Sequence, residues 1–424
     1  MKTAFVVIHI IVLQIFLFAQ NTDQKKKLES KVDSLSQVVS KLSTEVEKFK
    51  QQKAGEELEA LRKSAQTELQ VSPKEEELTK KSFHEGSRSM QAMNPEISVA
   101  TDMVSNYKTE PPHFSDERRS GFQMRVVELM IQSNLDPFSF TKIILEAGGE
   151  GVEMAEAYVT WVNLFKRLNL TAGKFRQQFG VINRWHEHAL DQTFFPLPIE
   201  MFMGEEGLNQ IGISMNWLMP SLTASANEIT LQITNSQNEA LFSGEEFSLP
   251  SGLIHFKNFY DISPSSYFEL GISGLAGTND STGFSFTNNH TWTYMGGVDL
   301  AYSWEPVNRA HYRGVTWRSE LFYLSREMAG GSRIKALGGY SYLEYKLSSR
   351  FIIGARFDIA QPPELDNDNM FLWQTVPYIT FWQSEFAYLR LQWNHREGKN
   401  IGEKDNRIYF QIDWAIGPHK HEKY

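Results

Sequence analysis

The feature that most constrains the fold is a strict two-residue alternation of apolar and polar side chains. In RIYFQIDWAIG, residues 407–417, one face carries Ile408, Phe410, Ile412, Trp414 and Ile416, and the other carries Arg407, Tyr409, Gln411 and Asp413. Successive side chains of a β-strand point to opposite sides of the sheet. The segment is therefore predicted to be a strand with one apolar face and one face bearing charges of both signs.

Two more segments show the same pattern. RFIIGARFDIA, residues 350–360, sets an apolar face against Arg356 and Asp358, and FAYLRLQWNHR, residues 386–396, sets one against Arg390, Gln392 and Asn394. A soluble β-sandwich also alternates in this way, so the pattern alone leaves a sandwich and a membrane barrel open.

The lengths of the links between predicted strands favour the barrel. We predict sixteen strands, at residues 96–103, 121–132, 138–148, 151–163, 167–176, 207–217, 221–234, 251–261, 265–278, 290–304, 311–324, 334–347, 349–361, 373–383, 385–396 and 405–416. Long links mostly alternate with tight ones, although the short GGEG link is an exception. An even strand number with long links at one end is typical of outer-membrane β-barrels.

Tryptophan positions agree with this assignment. Trp161, Trp217, Trp304, Trp382 and Trp414 fall near one predicted set of strand ends, and Trp292, Trp373 and Trp393 near the other. Membrane barrels place aromatic side chains at both membrane interfaces. We therefore predict an all-β fold, a transmembrane antiparallel β-barrel of about sixteen strands over residues 94–424.

The first residues are typical of an export signal. Lys2 precedes an apolar run from Ala4 to Phe18, and the small residue Ala19 precedes a polar stretch. This pattern predicts a signal peptide at residues 1–19, with an uncleaved anchor as the alternative. The chain has no cysteine, which excludes disulfides, thiolate nucleophiles and cysteine-bound metals.

A short helical segment is predicted between the signal and the barrel. Its apolar residues alternate four and three positions apart, at Leu28, Val32, Leu35, Val39, Leu42, Val46 and Phe49. This heptad seam predicts a coiled coil over residues 25–71, which we expect in the periplasm, followed by a linker at 72–93. A single amphipathic helix is the alternative, and the valine and leucine pattern itself favours two strands.

Several short motifs resemble the phosphate-selective porin O/P family of outer-membrane proteins, in its Bacteroidetes-type form. They are NPEISVATD (94–102), LDPFSFTK, EAYVTW, GKFRQQFG (173–180), NRWHEH and GEEGLNQIGI (204–213). The resemblance implies a trimeric barrel of sixteen strands that forms a water-filled channel. The formal charge of −9 and the mixed charges of the inner face put a channel for anions such as phosphate alone in doubt.

Charged side chains on the inner face and near the longest link are the candidate site. The pore-lining or constriction candidates are Lys174, Arg176, Arg184, His186, Glu187, His188, Arg318, Glu320, Arg356, Asp358, Arg390, Arg407 and Asp413. By analogy with general porins, the link after the fifth strand is expected to fold into the barrel, with Trp185, Phe194, Phe195, Leu197, Ile199, Met201, Phe202 and Met203 against the wall. We predict no cofactor.

The pair His186 and His188 in this link has two interpretations. It would be a metal site if a third ligand lay nearby, but the spacing in the sequence supplies none. A hydrogen-bonded anchor of the link is favoured, and His419 with His421 near the end of the chain is interpreted in the same way.

Two other function classes were weighed against a channel. No GxSxG motif is present and the adjacent Glu205 and Glu206 point to opposite sides of an extended chain, so the chain is predicted not to be an enzyme. A barrel for surface attachment is the main alternative. The expected partners are the outer-membrane bilayer, two further copies of the chain, and small polar solutes or inorganic ions, and no nucleic acid.

Overall fold

The fold is a closed β-barrel of sixteen antiparallel strands. The computed structural model describes residues 95–109, 120–148, 151–222, 224–245, 249–280, 290–402 and 404–417. Each strand pairs with its neighbours in the chain, and β1 pairs with β16 to close the sheet. The strands are β1 Glu96–Lys108, β2 Ser120–Asp136, β3 Ser139–Gly148, β4 Gly151–Leu164, β5 Leu168–Arg176, β6 Asn209–Met219, β7 Ala226–Thr234, β8 Ser251–Ser263, β9 Ser266–Thr278, β10 Trp292–Trp304, β11 Gly314–Glu327, β12 Arg333–Lys346, β13 Phe351–Ala360, β14 Phe371–Ser384, β15 Ala387–Lys399 and β16 Lys404–Ile416.

All sixteen predicted strands are confirmed, with their boundaries displaced by a few residues. The predicted signal peptide, coiled coil and linker lie outside the described residues, as do His419 and His421. Among the described residues, no helix is long and apolar enough to cross a membrane.

The predicted facing of the strands is also confirmed. Leu391, Phe357 and Phe410 point outward with 49%, 46% and 40% of their surface exposed, whereas Arg356, Arg390 and Asp413 point inward and are at most 3% exposed. Large apolar side chains are exposed along all sides of the barrel. An apolar outer surface of this extent on a closed barrel is typical of proteins whose outside contacts lipid.

Aromatic side chains lie at one rim of the barrel as predicted. Trp161 pairs with Ser139 at the end of β3 and β4, Trp304 with Ser266, and Trp414 with Ala387. All three strand pairs end near these positions, where tight links connect β2 to β3, β8 to β9 and β14 to β15.

The main hydrophobic core lies inside the barrel and not on its outside. It joins residues of the link between β5 and β6 to inward-facing residues of β8 to β14. Its wall members are Leu253, Leu275, Met295, Phe322, Leu324, Ala336, Tyr340, Tyr342, Ala360 and Leu372. Part of the barrel interior is therefore filled by packed side chains.

Candidate functional site

The link of residues 177–208 folds into the barrel, and we call it the inward loop. It contains short 3-10 turns at Ile182–Arg184 and Glu187–Ala189 and one helix, α1, at Leu197–Met203. Pro196 precedes α1 and Pro198 lies in its first turn, where a missing backbone donor costs no hydrogen bond. The helix ends at Gly204, whose φ of 87° ends the helical conformation.

The apolar side of the inward loop packs against the wall formed by β8 to β14. Trp185, Phe195, Leu197, Ile199, Phe202 and Met203 are each at most 2% exposed. The Phe179 ring stacks on Phe322 with centroids 6.1 Å apart, and the Arg318 guanidinium lies 5.1 Å from the Trp185 ring. Burial of these rings stabilises one position of the loop, since each large apolar side chain contributes about 1.5–3 kcal/mol.

Glu320 on β11 holds the start of the inward loop. Its Oε1 accepts hydrogen bonds from the backbone N–H groups of Val181 and Ile182, both at 3.0 Å, and from the Tyr340 hydroxyl at 2.7 Å. Gly180, with φ of 62°, lies so close to this carboxylate that a side chain there would overlap it. A charged acceptor thus satisfies backbone donors that would otherwise be buried and unpaired.

Arg356 on β13 holds the middle of the loop. Its guanidinium donates to the carbonyl oxygens of Phe194 at 2.8 Å and Phe195 at 3.2 Å, and it pairs with Asp358 at 2.9 Å. Asp358 in turn accepts from the backbone N–H of Leu197 at 3.3 Å, at the start of α1.

The adjoining wall from β15 to β2 adds three further anchors. Arg390 on β15 donates to the carbonyl of Leu190 at 3.0 Å, and Gln392 accepts from the backbone N–H of Thr193 at 3.0 Å. Arg125 on β2 donates to the carbonyl of Thr193 and pairs with Glu187 at 3.2 Å. The loop is therefore tied to strands on both sides of the barrel.

A second link also turns inward. In the link between β7 and β8, Leu241 and Phe242 are at most 1% exposed and belong to the internal core. Asn238 donates to the carbonyl of Met203 at 2.7 Å, which joins this link to the end of α1. Together the two links fill the β8 to β14 side of the interior.

The β3 to β7 side keeps a polar cavity of about 310 Å³. We call it the passage. Its charged lining consists of Lys142, Glu156, Arg176, Arg184 and Glu228, and its uncharged polar lining includes Tyr158, Gln178, Ser214, Asn216, Thr230 and Gln232.

Three cations and two carboxylates line the passage. Glu156 accepts from the backbone N–H of Arg176 at 3.0 Å and lies 3.6 Å from the Lys142 ammonium group. Arg184, from the inward loop, donates to Gln178 at 2.7 Å and reaches the passage from the side opposite the wall. Counted by formal charge, the three cations and two carboxylates of the lining leave one net positive charge.

His186 and His188 belong to the inward loop, lie beside the passage and are at most 2% exposed. Nδ1 of His186 is 3.0 Å from Glu128, and its Nε2 is 3.3 Å from Glu156. Burial by itself lowers the pKa of His186, but the neighbouring carboxylates, Glu128 first, raise it by more, to about 10. The histidines therefore tie the loop to β2 and β4, as an anchor does.

The predicted site residues lie in several different places. Arg176 and Arg184 line the passage. Glu320, Arg356, Asp358, Arg390 and Asp413 point inward but are at most 3% exposed, beneath the inward loop. His186, Glu187 and His188 belong to the loop, Arg318 stacks on it, and Arg407 lies on the inner face paired with Asp405 at 2.8 Å.

Lys174 disagrees with its predicted place. It is in register with Ile211, which is 42% exposed on the outer surface, and its ammonium group donates to the carbonyl of Met154. Thr171 and Phe175 line the passage, so alternation along β5 turns Lys174 outward. The alternation ends with the strand at Arg176, which turns inward and is 7% exposed.

Sequence reasoning missed Lys142, Glu156 and Glu228. Lys142 stands in an otherwise apolar stretch, FTKIILE, and Glu156 in EAYVTW. Alternation places Glu156, Tyr158 and Thr160 on one face of β4, which was a usable signal. No comparable sequence signal identified Lys142. It lies on the inner face because it pairs with Tyr158, and only the strand register shows that pairing.

No protein-family model matches the chain. A curated relative, an uncharacterized protein of Aquifex aeolicus (strain VF5), is 24% identical over 342 residues, 72% of this chain and 71% of the relative.

Solved structures of outer-membrane proteins share the fold. An anion-selective porin from Comamonas acidovorans is 10% identical with a TM-score of 0.54, covering 76% of this chain and 99% of that one. The outer membrane channel DcaP of Acinetobacter baumannii is 12% identical with a TM-score of 0.54, covering 76% and 97%. OmpT, an outer membrane protein of Vibrio cholerae, in its trimer form, is 6% identical with a TM-score of 0.52, covering 76% and 99%. The chain therefore has the fold of outer-membrane porins.

Proposed function

We propose that the protein is an outer-membrane porin, a channel through which small polar or charged solutes diffuse. The observation that carries the proposal is the passage: the inward loop fills one side of the barrel and leaves a polar cavity on the other. Solutes would cross between Arg184 on the loop and Lys142 with Glu156 on the wall. The apolar outer surface and the likeness in fold to outer-membrane porins support the location.

The proposed channel prefers small anions. Lys142, Arg176 and Arg184 face the passage, while Glu156 is engaged by Lys142 and by the backbone of Arg176. Charge in a narrow, low-dielectric space acts with little screening, so a single excess positive charge there favours anions. Phosphate is one candidate among small anions, since guanidinium groups bind phosphate oxygens.

The test is the reversal potential of the purified protein in a planar bilayer under a potassium chloride gradient. The sign for the native protein should indicate chloride preference, and Arg184→Glu should shift the potential toward potassium preference. Arg350→Glu is the matched control, because Arg350 lies in the exposed turn between β12 and β13 and should change neither value.

Two results would count against the proposal. A native protein that migrates as a folded barrel on a heat-modifiability gel but carries no current would favour surface attachment instead. Equal shifts for Arg184→Glu and Arg350→Glu would mean that the passage is not the route of the ions.

The proposed assembly is a homotrimer. The trimer form of the structurally similar OmpT supports this assembly, as does the family resemblance of the sequence motifs. A mass measurement of the detergent-solubilised protein by sedimentation would decide between trimer and monomer.

A further inference from the structure

Four acid and imidazole groups meet where the inward loop touches β2 and β3. Nδ1 of His186 lies 3.0 Å from Oε2 of Glu128 and 3.4 Å from Oε1 of Glu146. Nδ1 of His188 lies 3.4 Å from the same Glu128 oxygen. Glu128 and Glu146 alternate with outward residues on β2 and β3 and are in register with each other, so the strand pairing fixes their separation.

The Glu128 carboxylate is the central group of this cluster. Its side chain is 1% exposed, and within the described part of the chain neither oxygen accepts a hydrogen bond of good geometry. A buried carboxylate without such partners carries a large desolvation cost. Its Oε2 lies within 3.4 Å of Nδ1 of both histidines, and a ring nitrogen that faces a carboxylate is either protonated and a hydrogen-bond donor or deprotonated and able to bind a metal.

The cluster is also rich in negative charge, and the permanent cations Lys142 and Arg184 lie on the passage side of it. Glu128, Glu146 and Glu156 all contact His186. Lys142, 3.6 Å from Glu156, supplies one permanent positive charge to this group. Either protonated imidazoles or one divalent cation would balance the remainder.

The distances fit a divalent metal. Zinc binds imidazole nitrogen and carboxylate oxygen at about 2.0–2.2 Å, which in a tetrahedral site sets the donors about 3.4 Å apart. One donor atom each of Glu128, Glu146 and His186 lie within 4.8 Å of one another. An ion at their centre needs only small side-chain movements.

The second nitrogen of His186 provides an independent indication. Its Nε2 lies 3.3 Å from Oε2 of Glu156, which in turn is near Lys142. A histidine that binds a metal through one nitrogen commonly donates the other N–H to a carboxylate, which orients the ring and raises its basicity. Glu156 occupies that position here.

We propose that Glu128, Glu146 and His186 bind a divalent cation of the zinc type, with His188 as the fourth donor. The ion fastens the inward loop to β2 and β3, on the side of the barrel where the apolar core does not hold it. Both strands supply one carboxylate and the loop supplies the imidazoles. The site binds metal whether or not the barrel conducts ions.

The experiment measures zinc binding by the full-length protein in detergent. A His419→Ala, His421→Ala background removes the other histidine pair. After treatment with EDTA and equilibrium dialysis against zinc chloride, elemental analysis should find about one zinc ion per chain, as expected for a single closed site. Glu128→Gln and His186→Ala should lose this ion. His395→Ala is the matched control, because His395 also lies near a carboxylate, 3.7 Å from Glu397, but outside the cluster.

A milder variant guards against failure to fold. The Glu146 side chain is 32% exposed, so Glu146→Gln should fold normally, as a heat-modifiability gel would verify, and still weaken zinc binding. Cobalt bound in place of zinc should give visible absorption bands that the His186→Ala variant lacks. Zinc should also slow hydrogen exchange in residues 181–190 of the background protein.

The proposal is overturned if folded protein takes up no stoichiometric zinc. It is equally overturned if Glu128→Gln, Glu146→Gln and His186→Ala each retain the zinc ion of the background protein, which would leave an anchor of hydrogen bonds alone.

Discussion

Removing the Glu320 carboxylate should loosen the inward loop without loosening the barrel. In Glu320→Ala, the backbone N–H groups of Val181 and Ile182 lose their acceptor. Each buried donor left unpaired costs about 1–3 kcal/mol, so the two together destabilise the seated loop by about 2–6 kcal/mol. Each 1.4 kcal/mol changes an equilibrium constant tenfold. A cost of about 2 kcal/mol therefore raises the population of detached loop about 30-fold, and a cost of about 6 kcal/mol raises it about 20 000-fold. Water entering the vacated space favours the lower bound.

Hydrogen exchange followed by mass spectrometry measures this directly, because exchange of a protected amide follows the local opening equilibrium. Peptides covering residues 179–190 should exchange about 30-fold faster or more, while peptides of β11 and β12 keep their protection. Glu269→Ala is the control, since Glu269 pairs with the wall residue Lys257 at 2.6 Å. Unchanged protection of the loop in Glu320→Ala, or equal loss in both variants, would refute the role of Glu320 as an anchor.

Two further predictions concern the two faces of β15 and the helix of the inward loop. Leu389→Arg places a charge on the outer face, so it should cost about 2–4 kcal/mol of barrel stability and lower the amount of folded barrel on a heat-modifiability gel. Gln392→Arg, on the inner face, should leave the barrel folded but expose the amide of Thr193 to exchange. Equal behaviour of the two variants on the gel would mean that the assigned facing of β15 is wrong. Burial raises the pKa of Glu200 in α1 from 4.5 to about 7, although Arg396 and Arg356 act to lower it. Between these pH values the unfolded loop binds fewer protons than the seated loop. The stability of the seated loop therefore falls as pH rises from about 4.5 to about 7. Glu200→Gln should therefore protect the loop from exchange better than the native residue at pH 8 and about equally at pH 4, and a native loop whose protection does not change with pH would contradict this.

The strands could be predicted from sequence because their signal is local. Alternation in residues 407–417 assigns every side chain of β16 to a face, and the alternating link lengths then order the strands into a closed sheet. The inward path of residues 177–208 was also predictable, since a link with so many large apolar side chains has to bury them. The prediction that Lys174 lines the pore was wrong because β5 has polar residues on both faces, so the sequence does not show which face points inward. Only the register of β5 against β6 shows it.

The function of each inner-face charge was harder to predict, and Glu320 and Glu156 show why. Both alternate inward on their strands, and nothing within a few residues of either distinguishes them. Glu320 meets the backbone of the loop and is sealed from water, whereas Glu156 borders the passage. The difference is set by the path of a loop more than a hundred residues away from Glu320 in the chain, so it appears only once the loop is placed. The carboxylates beside His186 were missed for the same reason, because Glu128 and Glu146 reach it through the pairing of β2 with β3. Inner-face charges in this barrel therefore lie in two kinds of place, against the loop or along the passage, and only tertiary contacts assign a residue to one of them.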